Sequence, residues 1–183
     1  MRYPPGHKEA VRAKIVAAAA RALRRDGPEG VSIPKLMEEV GLTHGGFYNH
    51  FEDKDELLAE CIRFAAATTG AGVLGPENDL ATALAGYLSP GHAAHPEQGC
   101  VVAALGSDAR RQPAPVKRAF GEAARGLLRI VDAKLRPGAT ARGADVSDDA
   151  LRLTSQMVGA VILARMVGDG PLAQRILAAA RRA

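Results

Sequence analysis

An all-α protein is the expectation for these 183 residues. Ala, Leu, Arg and Glu dominate most of the chain, and alternating β-branched runs are nearly absent. Apolar residues instead recur at helical spacing, and Gly- and Pro-containing breaks divide them into about nine segments.

The first segment, about 9–25, places Val11, Ile15, Ala18, Ala22 and Leu23 on one stripe, with Arg12, Lys14, Arg21 and Arg24 mostly outside it. Asp26-Gly27-Pro28 ends it, because Gly suits the position after a helix and Pro cannot continue one. Ser32 reads as the cap of a second helix with Pro34 in its first turn, Leu36, Met37 and Val40 facing inward, and Gly41 as the stop. Thr43 caps a short aromatic helix to about His50. Asp53, Asp55 and Glu56 suit the positive N-terminus of a fourth helix, which runs to about Ala67 before Gly70, Gly72, Gly75 and Pro76. Five further helices are expected at about 78–89, 98–110, 114–135, 147–167 and 171–182.

Composition narrows the function classes. Hydrophobic residues make up 47% and charged residues 24%, an ordinary globular balance, and no apolar run reaches the ~20 residues of a membrane span. The opening MRYPPGHKEAVRAK has no apolar signal core, and Cys61 and Cys100 are the only cysteines, so a cytoplasmic protein without disulfides is expected. Net charge is +4, yet residues 1–55 carry nine Lys/Arg against eight Asp/Glu. So thin an excess does not nominate nucleic acid; a local motif has to.

That motif is GVSIPKLMEEVGLTHGGFYNHFEDKDEL, residues 30–57. It reads as helix, Gly-containing turn and second short helix, the spacing of a helix-turn-helix. Val31, Leu36, Met37, Val40, Leu42, Phe47 and Phe51 would form its shared core. Thr43, His44, Gly45 and Gly46 then open the second helix, the end directed into the major groove in this geometry. Two successive glycines cost roughly 1 kcal/mol each inside a helix and make sense where the backbone must approach another surface. Tyr48, His50 and Lys54 supply hydrogen bonds and charge at the flanks, where phosphates would lie, while Asn49 is compatible with groove or solvent.

This stretch closely resembles the DNA-binding module of the TetR/AcrR family of transcriptional regulators. Gly41, Leu42, Thr43, Gly45, Phe47, Tyr48, His50, Phe51, Lys54 and Leu57 match its typical string, and the likeness covers about the first 60 residues. GCVVAAL at 99–105 is similar to a common subgroup, less specifically. The resemblance implies a homodimer, with a helix-turn-helix DNA-binding domain over 1–55 and an effector-binding and dimerisation domain over 56–183. It implies phosphate contacts from Ser32, Tyr48, His50 and Lys54, and places Thr43, His44, Gly45 and Gly46 nearest the base edges. Pro34 departs from the polar or basic side chain of many relatives, which shifts the burden to the second helix.

The resemblance also implies that the last two helices pair across the dimer, through Leu151, Met157, Val158, Val161, Ile162, Leu172, Ile176 and Leu177. A small hydrophobic or aromatic effector would lie among the middle helices. Candidate liners are Phe64, Leu84, Tyr87, Leu88, Cys100, Val102, Leu105, Phe120, Leu127 and Met157. Cys100, at an expected helix start that would lower its thiol pKa, supports an alternative as an electrophile or oxidant sensor. The string His92, His95, Cys100 has metal-like spacing, but loop histidines before Pro96 read as solvated, so no metal or cofactor is expected.

Two rival classes are weaker. An enzyme would need a catalytic constellation, and Ser89, Ser107, Ser147 and Ser155 have no His and acid in a recognisable arrangement. A helical adaptor without DNA binding is disfavoured by the intact Tyr48–Lys54 stretch. The expected protein is therefore a ligand-responsive regulator, a repressor that leaves a pseudo-palindromic operator when its effector binds.

Overall fold

The computed structural model describes residues 6–138 and 146–182. Among these are nine α-helices and three short 3-10 turns, and no strand. The helices are α1 (His7–Gly30), α2 (Ile33–Glu39), α3 (Lys54–Ala71), α4 (Leu80–Tyr87), α5 (Pro90–Ala94), α6 (Val101–Leu105), α7 (Ala114–Leu135), α8 (Asp148–Met166) and α9 (Pro171–Ala180). No described helix is long and apolar enough to cross a membrane.

Two core clusters meet along α7. The first joins α1, α2 and α3 to Val101 and Leu105 of α6 and to the first half of α7, through Val116, Ala119, Phe120 and Ala123. The second joins α4, α8 and α9 to the second half of α7, through Leu127 and Val131. One 22-residue helix thus carries both cores, and the half-buried Val102 packs against each.

The helix starts follow their capping chemistry. The Asp53 carboxylate accepts from the Glu56 N–H at 2.8 Å, Asp79 from Thr82 at 2.7 Å, Ser89 from His92 at 3.1 Å and Ser147 from Ala150 at 3.3 Å. Asp132 ties α7 to the start of α8 by accepting from the Ser147 hydroxyl at 2.6 Å and backbone at 3.1 Å. Arg136 bonds the same carboxylate, and these donors bring its pKa down to about 2, the Arg136 bond first.

Outside the helix-turn-helix, four helix boundaries depart from the sequence reading. The first helix breaks at Gly27 as expected, but Pro28–Gly30 resume helical hydrogen bonding. The helix expected to end near Ala67 runs to Ala71, because Gly70 sits where α3 approaches α7. A Cβ there would come within 3.1 Å of the Ile130 side chain, so the glycine serves helix contact instead of a break. Just past the helix expected over 78–89, Pro90 does not break the chain but occupies the first turn of α5, where its missing N–H costs little. The helix expected over 98–110 shrinks to Val101–Leu105 and a 3-10 turn at Ala109–Arg111, since side chains claim the backbone groups that would have begun it.

Those side chains are Arg24, His92 and Arg165. Buried Arg24 donates to the Gly99 carbonyl at 3.0 Å, and the Cys100 N–H donates to His92 Nε2 at 2.9 Å. His92 Nδ1 lies 2.5 Å from the Tyr87 carbonyl, which fixes the neutral tautomer with hydrogen on Nδ1. Arg165 reaches the His92, Ala93 and Ala103 carbonyls at 2.9–3.1 Å. Burial, and secondarily the Arg165 charge, lowers the His92 pKa, against the opposing bond to Tyr87.

A depressed histidine pKa means that the unfolded chain binds the proton more tightly. The stability held by neutral His92 is full above its ordinary value near 6.5 and is lost as pH falls through the lowered folded value. His92→Gln should lower stability at pH 8 and flatten its decline below about pH 6.5, read by urea unfolding across pH. An unchanged acid slope would exclude His92 as the titrating group.

Candidate DNA-binding interface and effector cavity

The helix-turn-helix is built on a small aromatic core. Phe47 and Phe51 are buried and stack with centroids 5.3 Å apart, and Met37, Leu36 and Val31 are buried beside them. Each large apolar side chain so buried contributes roughly 2 kcal/mol. Val40 and Leu42, expected in this core, are only partly buried against it. Gly41 makes the turn with φ of 77°, and the Leu42 N–H closes it on the Met37 carbonyl at 2.8 Å.

The short aromatic helix expected to about His50 is a 3-10 turn, His44–Asn49. The Ser32 and Thr43 hydroxyls make no capping bond and are left to the surface. Thr43, His44, Gly45, Tyr48 and Asn49 are exposed; Ser32, Gly46, His50 and Lys54 are half-buried around them. Tyr48 stays 61% exposed although it stands edge-on to Phe47 at 5.2 Å, so the ring is oriented while its hydroxyl faces outward.

The glycine pair is informative. Neither residue has positive φ, a Cβ at Gly45 would meet nothing within 4 Å, and one at Gly46 would make only ordinary contacts. The fold has no internal need for glycine at either position.

Arg12 of α1, expected mostly outside the apolar stripe of its helix, anchors the end of this turn. Its guanidinium lies 4.2 Å over the Phe51 ring, bonds the His50 carbonyl, and pairs with Glu56 at 2.9 Å and with Glu60. Desolvation opposes the Arg12 charge, yet the two carboxylates outweigh it and its pKa is raised. Glu56 is held low by the Glu52 N–H at 2.7 Å and by Arg12. Burial first, and then the neighbouring charges of Lys8 and Arg12, lower the His50 pKa. The four-residue spacing of Glu56 and Glu60 on α3 was the available signal, but their partner is 44 residues away from the nearer one in sequence.

A cavity of about 270 Å³ opens between α3, α6 and α7. Its walls are mostly small and apolar, including Ala66, Leu74, Val101, Ala123 and Ile130, with the Arg63–Glu122 pair at its edge. Of the ten expected liners, Cys100, Val102 and Leu127 line it. Leu84, Tyr87, Leu88 and Met157 are placed in the second core instead, Leu105 and Phe120 in the first, and Phe64 is exposed on α3. Apolar periodicity marks a buried face but cannot tell a filled core from a cavity wall, and Ala and Gly liners leave no hydrophobic signature. Cys100 is buried, and His92 has both ring nitrogens committed to backbone; the described residues hold no His/Cys/Asp/Glu group suited to a metal.

On the last two helices, Leu151, Ile162 and Leu172 are exposed, Val158 and Ile176 half-buried, and Met157, Val161 and Leu177 buried within the protomer. The exposed stripe also includes Leu163, Met166 and Val167, which the sequence reading omitted although they continue the spacing from Ile162.

Arg12→Ala removes a cation–π contact, two carboxylate partners and a carbonyl bond. It should cost about 2 kcal/mol by urea unfolding. Arg12→Lys should recover only part, because an ammonium cannot serve these partners in fork geometry. Loss below about 0.5 kcal/mol would reduce the cluster to a surface ion pair.

Residues 15–61 match the sequence model described as bacterial regulatory proteins, tetR family. The HTH-type transcriptional repressor AcnR of Corynebacterium diphtheriae is 33% identical over 87 residues, 48% of this chain and 42% of that protein. AcnR of Corynebacterium glutamicum is 32% identical over 77 residues, 42% and 40% of the two chains. The chain thus spans less than half the length of these curated relatives. Fold likeness extends further. A TetR transcriptional regulator from Chloroflexus aurantiacus superposes with TM-score 0.68 at 25% identity, covering 96% of this chain and 92% of that one. A TetR-family regulator from Agrobacterium tumefaciens gives TM-score 0.77 at 21% identity, covering 96% and 98%.

Proposed function

We propose, from the premise that the chain belongs to the TetR family of bacterial regulatory proteins, that it is a homodimeric repressor whose DNA binding is relieved by a small apolar effector. In this reading residues 1–55 form the DNA-reading head and residues 56–183 the effector-binding and dimerisation part. The observation that carries it is the exposed, glycine-bearing turn braced from beneath by Phe47 and Phe51, with no packing reason for its glycines.

The turn would enter the major groove with Thr43, His44, Gly45 and Gly46 nearest the bases. Ser32, Tyr48, His50 and Lys54 would meet phosphates, which fix register without reading sequence. The exposed Leu151, Ile162, Leu163, Met166 and Leu172 face supports a two-fold pairing of α8 and α9, and that symmetry would set two heads on half-sites ~34–36 Å apart. An effector in the cavity under α6 would favour a different head position, and linkage then requires DNA to weaken effector binding by the same factor.

Selection from a random duplex pool at two salt concentrations tests the reading. A palindromic consensus whose affinity falls steeply with salt is the expected result; recovery of no consensus from ligand-stripped protein would sink it. Lys54→Ala should weaken all duplexes alike and reduce the salt slope by about one. Ile162→Asp should convert the dimer to monomer in sedimentation and abolish tight operator binding, while a variant that stays dimeric would move the interface elsewhere.

A further inference from the structure

The charged residues lining the edge of the α3–α6–α7 cavity are Arg63 and Glu122. Arg63 of α3 donates from Nε to Glu122 of α7 at 2.7 Å. Arg118, Glu122, Arg125 and Arg129 share one face of α7 by their helical spacing, so the pair lies in a stripe of arginines with a single carboxylate. Glu122 is held below the ordinary carboxylate range by the Arg63 bond first, then by the charges of Arg63, Arg125 and Arg118. Behind this pair the lining is apolar apart from Thr69.

A molecule suited to such a site has an apolar body and one anionic end. A neutral hydrophobe would fill the interior without engaging Arg63 at the edge. A carboxylate presents two acceptors in the geometry a guanidinium fork matches. Glu122 already shows that the Arg63 side chain can hold a carboxylate there, and Glu122 is exposed enough to turn away into water when displaced.

We propose that the effector of this cavity is a small amphipathic carboxylate of about a dozen non-hydrogen atoms, its apolar part between α3, α6 and α7 and its carboxylate taken by Arg63 in exchange for Glu122. This rests on the effector-cavity reading above and adds the chemical class and the specificity residue. The exchange uncouples the one side-chain ion pair between α3 and α7 recorded at this edge, so binding is felt by the helix that begins at the recognition turn.

Isothermal titration of the full chain with 4-isopropylbenzoate and its neutral counterpart 4-isopropylbenzamide tests it. The carboxylate should bind at least tenfold more tightly. Arg63→Gln should remove that preference without weakening the amide, and Glu122→Gln should tighten the carboxylate several-fold. Gly126→Leu supplies the cavity control: Gly126 lines the cavity and a Cβ there meets nothing within 4 Å, so the substitution fills space without a backbone clash. It should abolish binding of both compounds.

Equal binding of amide and carboxylate, blocked by Gly126→Leu, would overturn the anionic class and leave the cavity as the effector site. Binding of either compound undiminished by Gly126→Leu, or no binding of either, would overturn the proposal together with the cavity reading. A carboxylate preference that survives Arg63→Gln would remove Arg63 from its role.

Discussion

Two guanidinium groups, Arg24 buried and Arg165 half-buried, hold the centre of this molecule together. Arg24 projects from the end of the first helix and Arg165 from the penultimate one, and both donate to carbonyls of the segment between residues 92 and 103. That segment has little helix of its own. α6 is five residues long, far below the length at which a helix stands unaided, so its geometry depends on side chains from elsewhere. Each arginine loses hydration on burial, which lowers its pKa, and the carbonyls supply the compensating hydrogen bonds. His92 completes the arrangement from within the segment.

This constraint links parts that would otherwise communicate poorly. The reading head is tied to the segment through Arg24, the exposed α8 face through Arg165, and Cys100, Val101 and Val102 of the same segment form one wall of the cavity. Under the proposed function, a ligand that shifts α6 would work directly on carbonyls held by both ends of the molecule. A short segment held by a handful of directional bonds has discrete arrangements, which makes it a better switch than a continuous apolar core.

The head itself is built differently. Its fixed geometry comes from the stacked Phe47 and Phe51 and from Arg12, which clasps the end of the recognition turn to α3. The turn is thereby rigid underneath and bare above, with Tyr48 oriented by its edge contact to Phe47. A rigid base with an exposed backbone suits recognition by close fit, where losing side-chain freedom on binding would be costly.

Much of this was legible in the sequence because it is encoded locally. The all-helical class, the extents of α7 and α8, the acidic cap of α3 and the aromatic core of the helix-turn-helix follow from periodicity, capping residues and glycine placement, which act over a few neighbouring positions. What tertiary structure alone decided involves partners far apart in the chain. Gly70 became a helix contact because Ile130 lies opposite it, Arg12 an anchor because Glu56 and Glu60 come within reach, and the segment after Gly99 stayed short because Arg24 and His92 take its first backbone groups. The division of Leu, Val and Phe between solid core and cavity wall belongs to the same class: periodicity reports which face of a helix is buried, and only packing determines whether that face is filled.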